Sequence, residues 1–138
     1  MSHFLRIRTQ ITERQHLVQA LRDLHYRFQE GQNLLIRGFA GNTERGEVVV
    51  DTGCKYDIGF RRSGENYEAV ADWDWGIQRE CKLQVDGQPL RQDNFIAQIQ
   101  RQYAYNIIRD QVREQNLIVE DEQTMENGDL VITLSERG

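Results

Sequence analysis

The chain has one proline, Pro89, and two cysteines, Cys54 and Cys81. No Cys-x-x-Cys pair is present, so a zinc knuckle has no sequence scaffold. The two cysteines could join as a disulfide, but free thiols in a reducing compartment are the expectation. Histidine is scarce too: His3, His16 and His25. His16 and His25 lie about two and a half helical turns apart and face opposite sides, so they cannot share a metal ion. They are expected at the surface or at helix caps. No run approaches the roughly 20 apolar residues of a membrane span. The opening "MSHFLRIRTQ" holds no apolar core of signal-peptide length. A soluble, intracellular protein is therefore expected. An excess of basic residues is missing as well: the formal net charge is -5. That disfavours a general nucleic-acid or anionic-membrane binder, since phosphate contacts need surplus Lys and Arg. "GFAGNTERG" holds Gly38, Gly41 and Gly46, at neither P-loop nor GxGxxG spacing. It joins strand to strand, so no helix N-terminus awaits a phosphate.

What is present is periodicity. "FLRIRTQI" alternates, with Leu5, Ile7, Thr9 and Ile11 on one side of a half-buried strand. "TERQHLVQALRDLHYRF" carries Leu17, Leu21 and Leu24 at helical spacing. Thr12 and Gln15 fit a capping box at its start, and Gly31 fits a left-handed stop. From Leu34 to Trp73 the period is two, in four short runs: "LLIRGF", "EVVVD", "YDIGFRR" and "NYEAVADW". The last two read as a hairpin through Ser63-Gly64, with Tyr56, Ile58 and Phe60 on one face and Tyr67, Ala69, Ala71 and Trp73 on the other arm's face. "KLQVDGQPL" reads as a brief strand closing at Asp86-Gly87 and ended by Pro89. "DNFIAQIQRQYAYNIIRDQVREQ" is a long helix capped by Asp93 or Asn94, with Ile96, Ile99, Tyr103 and Ile107 as its stripe and Asn116 as its stop. Two strands around Asn127-Gly128 close the chain. The order β-α-β-β-β-β-α-β-β predicts an α+β fold: a mainly antiparallel sheet with two helices packed on one face. Residues 1–138 read as a single domain, without repeat or linker.

The candidate chemistry centres on "VADWDWG". If that stretch is extended, Asp72 and Asp74 share a face, roughly 7 Å apart. Such a pair can perform acid–base work or hold a divalent cation. The favoured reading is nevertheless a solvated strand-end pair. Trp73 belongs to the core on this pattern. Trp75 stands where the strand leaves the sheet, and could stack on a flat ligand or a partner. Arg37 is the candidate counter-charge for the aspartates. In "QRQYAYN", Tyr105 lies at the edge of the helix stripe, as core tyrosines with wet hydroxyls and interface tyrosines do. Cys54 follows a turn beside Lys55, which alone is weak support for a reactive thiol. No catalytic or metal-binding constellation is assigned, and no cofactor is implied by motif.

"MSHFLRIRTQI", "LIRGFAGNT", "YDIGF…YEAVADW" and "QRQYAYN", in this order and spacing, resemble the hypothetical chloroplast reading frame thirty-five family of cyanobacteria and algal plastids. The resemblance spans nearly the whole chain. It implies a place in the cyanobacterial cytoplasm or plastid stroma, and it supplies no activity and no site residues. The sequence therefore leads to a non-enzymatic binding or assembly protein whose partner is another protein, with Trp75, Asp72, Asp74, Tyr105 and Arg37 as candidate binding residues. The alternative is a small-molecule or cofactor-binding domain, enzymatic or not, with a pocket near the 70–76 strand end.

Overall fold

Five strands pair antiparallel in the order β1-β5-β4-β3-β2. They are β1 (Leu5–Arg8), β2 (Arg27–Arg37), β3 (Thr43–Asp51), β4 (Asp57–Ser63) and β5 (Asn66–Ala71). The computed structural model describes residues 4–126 and 130–137. Three helices accompany the sheet: α1 (Arg14–Asp23), the one-turn α2 (Gln78–Glu80) and the long α3 (Gln92–Glu114). The apolar stripes of α1 and α3 lie on the same sheet face. Leu17, Leu21, Phe95 and Ile99 meet Val50, Ile58, Phe60, Tyr67 and Ala69 in one core. Burying those side chains is the main driving force for the fold. This is the α+β arrangement that the alternation of periods predicts. No helix among the described residues is long and apolar enough to cross a membrane.

Helix α1 is shorter than its sequence suggests. The periodicity carries on toward Gly31, but the helix stops at Asp23 because His25 turns left-handed, with φ 64°. His25 N–H donates to the Arg22 carbonyl and Tyr26 N–H to the Leu21 carbonyl, a Schellman closure with histidine where glycine is usual. Phe28 consequently lies on β2 and not on the helix. The expected Thr12–Gln15 capping box is also absent: Glu13 is the N-cap and makes no side-chain cap bond. The Tyr103 hydroxyl of α3 replaces it, accepting the N–H groups of Thr12 and Glu13 at 3.1 and 3.0 Å. A local cap has been exchanged for one that ties the two helices together.

Strand β2 is longer than "LLIRGF" and bends where its register shifts between Glu30 and Leu34, with Asn33 at φ 56°. Strands β6 (Gln84–Val85) and β7 (Gln88–Pro89) form a tight hairpin over Asp86-Gly87, both at positive φ as a type I′ turn requires. Pro89 thus belongs to the second strand of this ribbon, where a missing N–H is tolerated at an edge. At the start of α3, Asn94 Oδ1 accepts the Arg91 N–H at 2.8 Å. Asn116 ends the helix in the left-handed conformation, φ 54°. Strands β8 (Leu117–Thr124) and β9 (Leu130–Glu136) then pair as a separate ribbon. The Asn127-Gly128 turn expected between them lies outside the described residues.

The opposite face of the sheet carries a smaller cluster of Ile36, Val49 and Val70, with Phe4 and Leu34 against it. It depends on close approach. A Cβ on Gly59 would stand 2.1 Å from the Ile36 Cδ1, so only glycine leaves room for that side chain. Beside it, Arg6 pairs with Glu44 at 2.8 Å and Arg61 with Glu68 at 2.9 Å. The hydrogen bond from Arg6 holds the Glu44 carboxyl below the usual carboxylate range.

Candidate functional site

The stretch Val70 to Gly76 is not extended to its end. Strand β5 stops at Ala71, and Trp73–Ile77 winds into one π-helical turn that runs on into α2. The turn closes when the N–H groups of Gly76 and Ile77 donate to the Asp72 carbonyl at 3.0 and 2.9 Å. Gly76 sits at the tight point, where a Cβ would meet the Tyr56 ring at 3.0 Å. The shared face expected for Asp72 and Asp74 is therefore lost. A period of two cannot survive helical winding.

The four residues take different environments. Asp72 is fully buried, and its Oδ2 accepts the Phe39 N–H at 3.0 Å. Asp74 is exposed. Trp73 is buried in the main core against Phe95, as the sequence leads one to expect, with ring centroids 6.2 Å apart. Trp75 is half-buried between the Phe39 ring, at 6.0 Å, and the Arg79 guanidinium, 4.4 Å from its centroid. Phe39 itself remains 37% exposed. Phe39, Trp75 and Arg79 thus form a small aromatic–cationic surface, held in place by the Asp72 bond to the Phe39 backbone.

Arg37 answers a different carboxylate from the one expected. It makes a two-pronged pair with Asp57, Nε to Oδ2 at 2.8 Å and Nη2 to Oδ1 at 2.9 Å, and adds its backbone N–H at 2.9 Å. Asp57 is buried while Arg37 is half-exposed, so this is a lock between β2 and β4. The groove beside it, about 550 Å³, is lined by Leu34, Leu35, Val49 and Arg27 among others; Asp72, Trp75 and Cys54 are not part of that lining. Both cysteines are free and half-buried. Cys54 Sγ lies 3.0 Å from the Thr52 hydroxyl, and Cys81 Sγ lies 4.0 Å from the Thr52 carbonyl. Burial pushes the Cys81 thiol up, which lowers its thiolate fraction. Among the described residues, no group of three or more His, Cys, Asp and Glu side chains is placed to hold a metal ion.

Tyr105 stands apart from these residues. It is half-buried on α3 under the Arg109 guanidinium, and it lines a groove of about 480 Å³ with Arg101, Glu122 and Thr124. Glu122 and Thr124 belong to the β8–β9 ribbon, which therefore leans on α3 next to this tyrosine. The ribbon carries several exposed large apolar side chains. Val119 is 43% exposed and Val131 46%, and Ile118 and Leu134 also face outward. None of its side chains among the described residues belongs to either core cluster.

His16 is a bridge and not a solvated surface group. Its Nδ1 lies against Glu13 and its Nε2 is 3.0 Å from Asp110 Oδ2, across the α1–α3 contact. Asn106 was absent from the sequence-derived candidates, yet it is 1% exposed. The signal was there: it falls three residues after Tyr103 and seven after Ile99, on the buried stripe of α3. Phe39 and Asp57 left no comparable signal, because their importance arises from contacts with residues distant in sequence.

A family described as "Protein of unknown function (DUF1257)" matches residues 20–133 of the chain. Over 134 residues the chain is 30% identical to "Uncharacterized protein ycf35" of Guillardia theta, covering 97% of this chain and 96% of that protein. Over 112 residues it is 31% identical to "Uncharacterized protein ycf35" of Cyanophora paradoxa, covering 80% and 78%. No solved structure matches it at a significant level.

Proposed function

Since the chain belongs to the DUF1257 family of unknown function and is related to the ycf35 proteins along nearly its whole length, we propose a function from its own surface: a non-enzymatic binding or assembly protein that engages another protein through the β8–β9 ribbon. The observation that carries this reading is the exposure of the cross-strand pair Val119 and Leu134 on one face of the two-stranded ribbon, with Ile118 and Val131 exposed on its other face. A ribbon of two strands is marginal in water, and clustered exposed apolar side chains are what interaction surfaces present. Glu120, Asp121 and Glu122 on the same ribbon favour a partner with basic groups around an apolar patch. Tyr105, beside the ribbon, extends the surface. Trp75, Phe39 and Arg79 form a second aromatic patch, with Asp72 as its support and Asp74 at its rim.

The test is capture from a photosynthetic lysate in mild salt, run in parallel with the double variant Val119→Lys and Val131→Lys. The reading expects a stoichiometric partner retained by the parent chain and lost by the variant, while both melt at similar temperatures. Capture of nothing, or equal capture by both, overturns it.

A further inference from the structure

The cleft between α1 and α3 encloses about 370 Å³ and is lined by Gln15, His16, Asn106, Arg109, Asp110 and Arg113 among its residues. Two of its side-chain nitrogens are buried without an acceptor among the described residues: Asn106 Nδ2 and Arg109 Nε. Buried donors are nearly always matched, so two unmatched donors at one cleft point to a missing acceptor.

The orientation of the Asn106 amide is fixed by its neighbours. Gln102 Nε2 approaches Asp23 Oδ2 at 3.4 Å and Asn106 Oδ1 at 3.1 Å. Asp23 as a carboxylate accepts and does not donate, so the Gln102 atom facing it is the NH₂. That NH₂ requires the oxygen of Asn106 opposite it, which leaves the Asn106 NH₂ group turned away. Flipping the Gln102 amide would set its oxygen against those of Asp23 and Asn106, and flipping the Asn106 amide would set donor against donor. Arg109 is held by Asp23 through Nη2 at 3.8 Å, leaving its Nε as the unused donor.

We propose that this cleft binds a small monoanionic carboxylate, whose two oxygens accept hydrogen bonds from Asn106 Nδ2 and Arg109 Nε. Arg113 supplies a further positive charge at the same cleft. The carboxylates of Asp23 and Asp110 stand nearby and oppose a dianion, which sets a carboxylate above a phosphate. The Asp110 carboxylate is held by His16 and the Asp23 carboxylate by Gln19, Gln102 and Arg109, so both acids are already engaged. This site is independent of the β8–β9 ribbon.

The experiment is a titration of the full chain with sodium acetate and, separately, with inorganic phosphate, at constant ionic strength set by chloride. Side-chain NMR signals of the Asn106 NH₂ and the Arg109 Nε–H are the readout. The expected result is a saturable shift of both signals by acetate and a weaker response to phosphate. Arg109→Lys keeps a positive charge but lacks the Nε donor, and should weaken acetate binding at least about tenfold, as the loss of a charge-assisted bond implies. The melting temperature of Arg109→Lys without acetate checks that it folds. Asn106→Ser keeps a small polar group and serves as the second variant, with the same expected weakening. The proposal is overturned if acetate produces no saturable shift and both donors show contacts with water alone. Tighter binding of phosphate than acetate, or acetate binding unchanged in both folded variants, overturns it too.

Discussion

Two antiparallel hairpins of this molecule, β4–β5 and β8–β9, have the same kind of pairing and opposite fates. In β4–β5, the alternate side chains Ile58, Phe60, Tyr67, Ala69 and Ala71 are buried, because α1 and α3 lie across them. In β8–β9, Val119 pairs with Leu134 and Gln123 with Val131, and Val119, Leu134 and Val131 remain exposed although the ribbon leans on α3. Both ladders are antiparallel and pair most of their length, with a register shift between Val119 and Asp121 in β8–β9 alone, so pairing by itself does not decide the difference. Burial does: a strand pair gains independent stability only when one face is covered. The lesson is that strand pairing alone does not distinguish a scaffold from a surface kept for something else.

That contrast can be pressed where it should be strongest. Phe95 on α3 is fully buried and packs on Phe60 at 6.3 Å, Trp73 at 6.2 Å and Tyr26 at 5.4 Å. Phe95→Ala should cost about 3–5 kcal/mol of folding stability, measured by urea denaturation. A loss below about 1 kcal/mol would show that α3 does not secure β4–β5, and the comparison would fail.

A second measurement uses pH. The Tyr26 hydroxyl donates to Gln98 Oε1 at 2.6 Å, and burial pushes its pKa up to about 12 from an ordinary 10.0. The folded state therefore keeps this proton where the unfolded state has released it. Stability tied to Tyr26 is full below about pH 10 and declines as the pH rises toward about 12, by at most about 2 kcal/mol. Alkaline unfolding of Tyr26→Phe should lack this component, whereas titration of Tyr26 at 10 by ultraviolet absorbance would remove its basis.

The smallest effect is expected on the ribbon. Val131→Ser should change folding stability by no more than about 0.5 kcal/mol. In native-state hydrogen exchange, β8 and β9 amides should exchange through local opening while β4 amides need global unfolding. Equal protection in both hairpins would mean that the ribbon is secured by cover of its own.

Much of this architecture was legible beforehand. The shift from period 3.6 to period 2 placed α1, α3 and β3–β5, and the burial of Trp73, Phe60 and Ile58 followed from parity alone. Element ends were less legible, for physical reasons. His25 terminates α1 in a conformation that glycine usually supplies, and Tyr103 caps it from a helix about ninety residues further on, as the hydroxyl's bond to the Glu13 N–H shows. The site was read least well. Asp72 and Asp74 were paired on the assumption of extended backbone, and a π-turn parted them. Arg37 was assigned to those aspartates and belongs to Asp57. Such pairings are long-range and leave no local periodicity. Asn106 differs: a polar residue on an apolar stripe is visible to anyone counting by sevens.

The groove left by Gly59 has an evolutionary corollary. Ile36 lies so close over that glycine that the two positions share one volume between them. Drift at either must be compensated at the other. A relative that carries a methyl group at the position of Gly59 should carry a trimmed side chain at the position of Ile36, and relatives that keep glycine should keep a branched or long residue opposite it. The back of the sheet is thus a two-residue ledger of space, in which strands β2 and β4 can change only in concert.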